Sequence, residues 1–257
     1  MSPPDDRVVS VTESVSRERL AELTGNLAAV RASIADACAA AGRDPAEVGL
    51  IAVTKTFPVP DIIALAGLGV TDVGENKDQE AAPKVAACAA AGLPLRWHFV
   101  GQLQVNKVAS VARYADVVHS VDRARLVTAL GRRASEAGRV IRCLIQVSLD
   151  ADADAGPDGA AGRGGAPPGE VPGLAAQIEA AEGLELGGVM AVAPLGQPAR
   201  PAYARLKQIA GVVRAGYPQA QMISAGMSGD LREAIAEGAT HVRIGTALLG
   251  GRRAFLR

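Results

Sequence analysis

Lys55 is the residue in this sequence with the clearest potential for covalent chemistry. It follows the apolar run LIAV closely. Because side chains alternate along a strand, Lys55 shares a face with Ile51 and Val53. If that face lines a barrel, the lysine lies at the mouth in apolar surroundings, which favour a neutral amine that can form a Schiff base with an aldehyde. The alternative is a solvated lysine at a strand end.

A second candidate is the segment 224–229, which reads SAGMSG and precedes a predicted helix. Asp230 and Glu233 have the spacing of a capping box at the start of that helix. Backbone N–H groups at a helix N-terminus attract phosphate, and glycine allows a ligand to approach closely. Gly245 and Thr246 would complete the cradle, since barrels often hold phosphate on their last two loops. An ordinary capped turn is the alternative.

Arg243 is the third candidate. It alternates with Val242 and Ile244, so Arg243 and His241 should both face the interior of a barrel. An unpaired buried charge is costly, and the arginine therefore needs an acceptor. Either a ligand atom or an internal carboxylate such as Glu75 would serve.

Other chemistries fit the sequence poorly. Asn76 and His98 lie near predicted strand ends and are either structural or part of a site. His98, His119 and His241 lack the spacing of metal ligands. The acidic run that begins at Asp150 lacks the Gly and Glu that a calcium loop needs at its sixth and twelfth positions. The sequence contains no GxSxG motif and no phosphate-binding P-loop.

The elements that would position these residues alternate regularly along the chain. Eight apolar runs, separated by helical patterns, predict a single-domain (β/α)8 barrel of the TIM type, with an open doubly wound sheet as the alternative. The predicted strands are 49–54, 70–74, 96–101, 115–120, 142–149, 187–192, 221–225 and 240–245. The predicted helices between them are 59–67, 77–90, 105–113, 122–136, 171–181, 199–215 and 230–237, with a short tail helix possible after the last strand.

An additional N-terminal helix is predicted over 16–41. Its apolar stripe consists of Leu20, Leu23, Leu27, Val30 and Ile34. We treat 1–257 as one domain, expect 1–14 to be disordered, and expect the Gly-, Pro- and Ala-rich segment 150–170 to be a flexible loop.

Composition excludes several partners. The chain has 27 Lys and Arg residues against 27 Asp and Glu residues, so nothing draws it to nucleic acid or to an anionic membrane. No signal peptide or membrane-spanning run is visible, which predicts a cytoplasmic protein. Cys38, Cys88 and Cys143 are expected to be free thiols. A monomer is expected because no assembly element is apparent.

Seven stretches of the sequence resemble, in order, the pyridoxal phosphate homeostasis proteins (the YggS/PROSC family). They cover about residues 15–254, and together they are far more specific than any one alone. The stretches are LIAVTKT (50–56), VGENKDQEA (73–81), WHFVGQLQVNK (97–107), SVDR (120–123), GVMAVAP (188–194), ISAGMSGDLREAI (223–235) and VRIGTALLGGR (242–252).

The resemblance implies a barrel similar to the N-terminal domain of bacterial alanine racemase, with pyridoxal 5'-phosphate (PLP) held on Lys55 as an internal aldimine. It further implies that the phosphate is bound by two turns and that Arg243 faces the pyridine nitrogen. Asn76, His98 and Met190 are expected near the cofactor. The implied phosphate-binding residues are Ser224, Gly226, Met227, Ser228, Gly245 and Thr246. Two departures from the family pattern, Lys77 in place of Tyr and Ala225 in place of Met, leave these residues intact.

The residues favour a carrier over an enzyme. A fixed positive charge on Arg243 would disfavour protonation of the pyridine ring and so weaken it as an electron sink. Racemisation also needs a second proton-transfer group, and Tyr114, Tyr203 and Tyr217 are predicted to lie away from the strand ends. We therefore expect a PLP carrier or buffer, with PLP-dependent apoenzymes as possible recipients. A PLP-dependent racemase is the second interpretation, and a barrel with an unrelated phosphorylated substrate is the third.

Overall fold

The computed structural model describes residues 15–150 and 164–251, and within them eight parallel strands close into a barrel. Each strand pairs with the next in the sequence, and β8 pairs with β1. This confirms the predicted (β/α)8 barrel. The strands are β1 (Gly49–Val53), β2 (Asp72–Glu75), β3 (Arg96–Phe99), β4 (Val117–Val121), β5 (Ile141–Gln146), β6 (Leu184–Met190), β7 (Met222–Ser224) and β8 (His241–Ile244).

Helices surround the barrel at the predicted places. They are α1 (Arg17–Ala40), α2 (Val59–Gly67), α3 (Asp78–Ala90), α4 (Val108–Val111), α5 (Ala124–Glu136), α6 (Val171–Ala180), α7 (Ala199–Gly216), α8 (Leu231–Ala236) and α9 (Thr246–Leu249). Short 3-10 helices cover Pro45–Glu47, Val105–Lys107 and Pro168–Glu170.

Part of the expected flexible loop at 150–170 falls within the described residues. Ala166 is buried and forms a parallel bridge with Val147, and the 3-10 helix Pro168–Glu170 leads into α6. Residues 151–163 of this loop, and the N-terminal segment 1–14, lie outside the described residues.

The strands separate an apolar outer layer from an interior in which polar groups lie beside apolar side chains. On β8, Val242 and Ile244 pack outward against the helices, while Arg243 and His241 point into the barrel, as predicted from alternation. A Cβ placed on Gly49 would lie 2.9 Å from the His241 ring, so these two residues share the interior. The polar interior requires partners for each buried group, because unsatisfied polar atoms are costly.

Helix α1 packs across the outside of the barrel. Its apolar stripe buries Leu23, Leu27, Val30 and Ile34, but Leu20 is 41% exposed, so its predicted place in the stripe is wrong. Arg19 lies at that turn of the helix instead. Its guanidinium forms an ion pair with Asp61 at 2.8 Å and donates to the Leu249 carbonyl at 3.0 Å, which ties α1 to α2 and α9.

Candidate functional site

Lys55 follows β1 after one residue and lies at the carboxyl end of the barrel, the end at which barrel sites form. Its side chain is exposed, so the expected apolar surroundings are wrong and the solvated alternative holds. The residue after it, Thr56, has a φ of +68°. A β-branched residue in this region is strained, and such strain persists only where neighbouring contacts hold the chain. One such contact is a 3.0 Å hydrogen bond from the Thr56 N–H to the Glu80 carboxylate. The backbone that presents Lys55 is therefore fixed.

A buried ion pair supports the same strand end. Lys84 donates to one carboxylate oxygen of Glu75 at 2.7 Å and to the Thr54 carbonyl at 2.8 Å. The Thr54 hydroxyl donates to the same Glu75 oxygen at 2.6 Å. Burial is the largest influence on Glu75 and raises the pKa of its carboxyl group. Glu75 is thus committed to Lys84, and it is not the partner of Arg243.

Asn76 lies at the end of β2, where the next strand passes very close to it. A Cβ on Gly101 would lie 2.1 Å from the Asn76 carbonyl oxygen, so only glycine fits there. The half-buried Asn76 is therefore placed at the mouth, on the strand next to that of Lys55.

The turn between β7 and α8 is held together by a carboxylate. Asp230 accepts from the Met227 N–H at 2.6 Å and from the Tyr203 hydroxyl at 2.7 Å. Asp230 is the residue that precedes α8, so the predicted start of this helix is confirmed, but its side chain makes no cap hydrogen bond to α8. The prediction that Tyr203 lies away from the strand ends is wrong, because its hydroxyl reaches this turn.

Gly226 allows the turn to form. It has a φ of +90°, and a Cβ there would lie 2.7 Å from the Ala234 side chain. Its carbonyl oxygen accepts a hydrogen bond from the backbone N–H of Arg243 at 2.9 Å, which joins the ends of β7 and β8. Met227 and Ser228 are exposed on the same turn.

Gly245 and Thr246 come directly after β8. Since Ile244 is in register with Ala52 of β1, these two residues lie beside the strand end that leads to Lys55. The loops after β1, β7 and β8 therefore meet at one end of the barrel.

Arg243 is buried below this mouth, level with Ile51. It donates to the Ser224 hydroxyl at 2.7 Å and to the Ala191 carbonyl at 2.8 Å. Within the described residues it has no ion-pair partner, and burial lowers the pKa of its guanidinium. A buried cation without an anion favours a ligand atom that can accept one of its remaining N–H groups.

His98 and Met190 lie inside the barrel. His98 contacts Asp72 at 2.8 Å and His119 at 2.9 Å. Met190 packs in the interior with Val117 of β4 and with other apolar residues. His98 reaches Arg243 only through intervening side chains, so its direct contact with a ligand, like that of Met190, stays a prediction.

Ser224 is fully buried, and its hydroxyl lies 3.0 Å from His119 Nδ1 in addition to its bond with Arg243. Its role at a phosphate also stays a prediction. Sequence reasoning missed Asp72 and His119, which are linked to Arg243 through other hydrogen-bonded side chains. Both occupy inward-facing positions of their strands. The alternation of side chains along β2 and β4 is the signal in the sequence that could have identified them.

The described part of the chain contains neither a metal site nor a membrane-spanning helix. No group of three or more metal-binding side chains comes together in residues 15–150 and 164–251. Among the helices described, none has the length and apolar character that crossing a bilayer requires.

The comparisons with known proteins agree with this architecture. Residues 25–253 match the family model "Alanine racemase, N-terminal domain". The "Pyridoxal phosphate homeostasis protein" of Mycobacterium tuberculosis (strain H37Rv) is 44% identical over 250 residues, covering 92% of this chain and 95% of that protein. The protein of the same name from Escherichia coli K12 is 35% identical, covering 90% and 97%.

A solved structure is similar over the same range. PipY of Synechococcus elongatus PCC7942, described with PLP bound, has a TM-score of 0.75 and 31% identity, covering 89% of this chain and 100% of that one.

Proposed function

The chain belongs to the pyridoxal phosphate homeostasis proteins, within the alanine racemase N-terminal domain family, and from this premise we propose that it binds PLP on Lys55 and carries or buffers the cofactor. The observation that carries the proposal is the solved relative with PLP bound, which matches over its whole length. In the attachment, the Lys55 amine adds to the aldehyde carbon of PLP and one water leaves, giving a Schiff base.

The residues at the mouth fit this cofactor. Lys55 is exposed on a fixed backbone, which supports covalent capture. Gly226 lets the turn pack closely against Ala234, and the neighbouring Met227 and Ser228 are exposed on that turn, where we expect the phosphate to bind. Gly245 and Thr246 follow β8 and Asn76 follows β2, the two strands that flank β1 and Lys55. When bound, PLP would supply an electron sink.

Arg243 supports the orientation of the ring. Its guanidinium lies in the barrel below the mouth without a carboxylate partner among the described residues, and the pyridine nitrogen is the acceptor it lacks. Arginine stays protonated in proteins, so it would donate to an unprotonated ring. That arrangement limits the electron sink and supports a carrier over an enzyme.

Further support for a carrier comes from the family and from Tyr203. The relatives in this family are named for homeostasis and not for a reaction. The Tyr203 hydroxyl reaches the turn after β7, but it donates its hydrogen bond to Asp230. Burial, and then the interaction with Asp230, raises the pKa of this hydroxyl. We propose a cytoplasmic monomer that delivers PLP to PLP-dependent apoenzymes.

Absorbance spectra test the attachment. Purified protein with added PLP should show a Schiff-base band, and borohydride reduction followed by peptide mapping should find the adduct on Lys55. Lys55→Ala should lose both. Lys77→Ala removes an exposed lysine from the next loop and should keep both. An adduct on another residue, or no adduct, would contradict the proposal.

A PLP-dependent racemase is the alternative, favoured by the family model. Incubation of the PLP-loaded protein with L-alanine, followed by chiral chromatography, distinguishes the two. We expect no D-alanine above the level that free PLP produces.

A further inference from the structure

Four buried side chains and one partly exposed carboxylate cross the barrel as one continuous line of hydrogen bonds, which we call the interior chain. Arg243 bonds Ser224 at 2.7 Å, Ser224 bonds His119 at 3.0 Å, and His119 bonds His98 at 2.9 Å. His98 then bonds Asp72 at 2.8 Å. Asp72 begins β2, at the end of the barrel opposite Lys55, and its side chain is 19% exposed.

The charges at the two ends fix the direction of every proton in between. Burial is the largest single influence and opposes ionisation of Asp72, but the hydrogen bonds from His98 and Thr71 together with nearby positive charge outweigh it and lower the pKa of the carboxyl group to about 2. Asp72 is therefore an acceptor only, and His98 must donate from Nε2. A second donation, from His98 Nδ1, would make the ring a cation; in the neutral ring that we propose, Nδ1 accepts and His119 donates to it from Nε2.

The same reasoning continues to the other end. Burial is the largest influence on His119 and lowers its pKa far below the usual value. Neutral His119 accepts at Nδ1, and the Ser224 hydroxyl donates to it. Ser224 is then left to accept from Arg243, which can only donate. Each proton points from the cation towards the carboxylate.

The reverse direction leaves groups unsatisfied. If His119 donated from Nδ1 to Ser224, the Ser224 proton would lose its acceptor in the interior chain. His98 would then have to donate from Nδ1, and a neutral His98 would turn a bare nitrogen towards the Asp72 carboxylate. Only the direction from Arg243 to Asp72 satisfies every member while both rings stay neutral.

We propose that Asp72, His98 and His119 are positioning residues, which hold the Ser224 hydroxyl and through it orient Arg243 towards the ligand. Ser224 has a hydroxyl that can rotate freely, and its direction is set only by what accepts its proton. With His119 in place, the serine presents a lone pair to Arg243. The effect on bound PLP rests on the proposed function, but the order of protons does not.

The proton order can be measured without cofactor. Nitrogen-15 NMR of the unloaded protein at neutral pH should show His98 and His119 neutral and protonated on Nε2. Finding His119 protonated on Nδ1, or as a cation, would overturn the proposal. This measurement stays decisive if the protein proves not to bind PLP.

Variants test whether the order of protons in the interior chain affects PLP binding. His119→Leu removes the acceptor for Ser224, and we expect PLP to bind about tenfold more weakly with a shifted absorbance band. His119→Asn places an oxygen near the position of Nδ1 and should restore most of the affinity and the band. If His119→Leu matches wild type in both, the positioning role is wrong.

Asp72→Asn addresses the exposed end of the chain and avoids opening a buried cavity. It removes the charge that fixes His98 and should weaken PLP binding severalfold. Asp116→Asn is the matched control, since Asp116, like Asp72, accepts from an arginine but lies outside the interior chain. Equal affinities for the two variants would overturn the proposal, and thermal unfolding of each would show that the fold is retained.

Discussion

At the residue scale, one glycine sets how closely two strand ends approach at the mouth. Gly101 leaves no room for a side chain beside the Asn76 backbone. Any Cβ must therefore push apart the loops after β2 and β3, and Asn76 moves with them.

We expect Gly101→Ala to weaken PLP binding and to cost about 1–3 kcal/mol of stability, because overpacking shifts the backbone. PLP titration and urea unfolding measure the two effects. Gly211→Ala on α7, where a Cβ meets nothing within 4 Å, is the control and should change neither binding nor stability for the worse. Wild-type behaviour of Gly101→Ala would show that the loops can separate without cost.

The buried pair of Glu75 and Lys84 also acts at this scale. Lys84→Met leaves the Glu75 charge without its ion-pair partner in the interior, and we expect a loss of about 3–5 kcal/mol in the free energy of unfolding. Glu75→Leu combined with Lys84→Met should recover much of that loss, since no buried charge remains. Urea unfolding of the single and double variants measures the two losses. Equal losses of unfolding free energy would contradict the prediction.

At the element scale, α1 binds the barrel through one stripe of side chains. Leu23 is fully buried in that stripe, whereas Leu20 is exposed. Sequence periodicity alone grouped the two residues, because both fit a helical spacing. Arg19 takes the buried place, since its ion pair with Asp61 satisfies the charge.

This difference predicts unequal effects of the same substitution. Leu23→Ala should cost about 2–5 kcal/mol, because it opens a cavity in the core. Leu20→Ala should change the free energy of unfolding by less than about 0.5 kcal/mol. Thermal or urea unfolding of both variants compares them, and a large loss in Leu20→Ala would mean that its side chain is buried.

At the scale of the whole molecule, the polar interior makes stability depend on pH. Burial lowers the pKa of His241 to about 4 and lowers that of His119 well below its usual value. In the unfolded chain both would titrate near 6.5. The unfolded state therefore binds more protons below that pH, and stability falls as the pH is lowered.

We expect the free energy of unfolding to drop between pH 6.5 and pH 4, with His241 contributing up to about 3 kcal/mol. Urea unfolding at a series of pH values measures the slope. His241→Gln removes one titrating group and should give a shallower slope over the same interval. A wild-type stability that is flat across this range would show that these histidines titrate alike in both states.

The sequence by itself determined the barrel and the residues at its mouth. Alternation of side chains assigned Arg243 and His241 to the interior, and the order of apolar runs placed Lys55, Gly226 and Gly245 after their strands. These features depend on residues that are close together in the sequence, and the spacing of apolar residues therefore reveals them. The PLP assignment came from resemblance to a family and not from the pattern itself.

Only the tertiary structure decided which polar groups meet. His119 on β4 bonds Ser224 on β7, a contact across the barrel between residues 105 positions apart. Asp230 likewise holds Tyr203 and not a helix cap. A buried hydrogen-bonding group takes whichever partner the closed barrel brings within reach, and barrel closure sets distances that no local spacing in the sequence encodes.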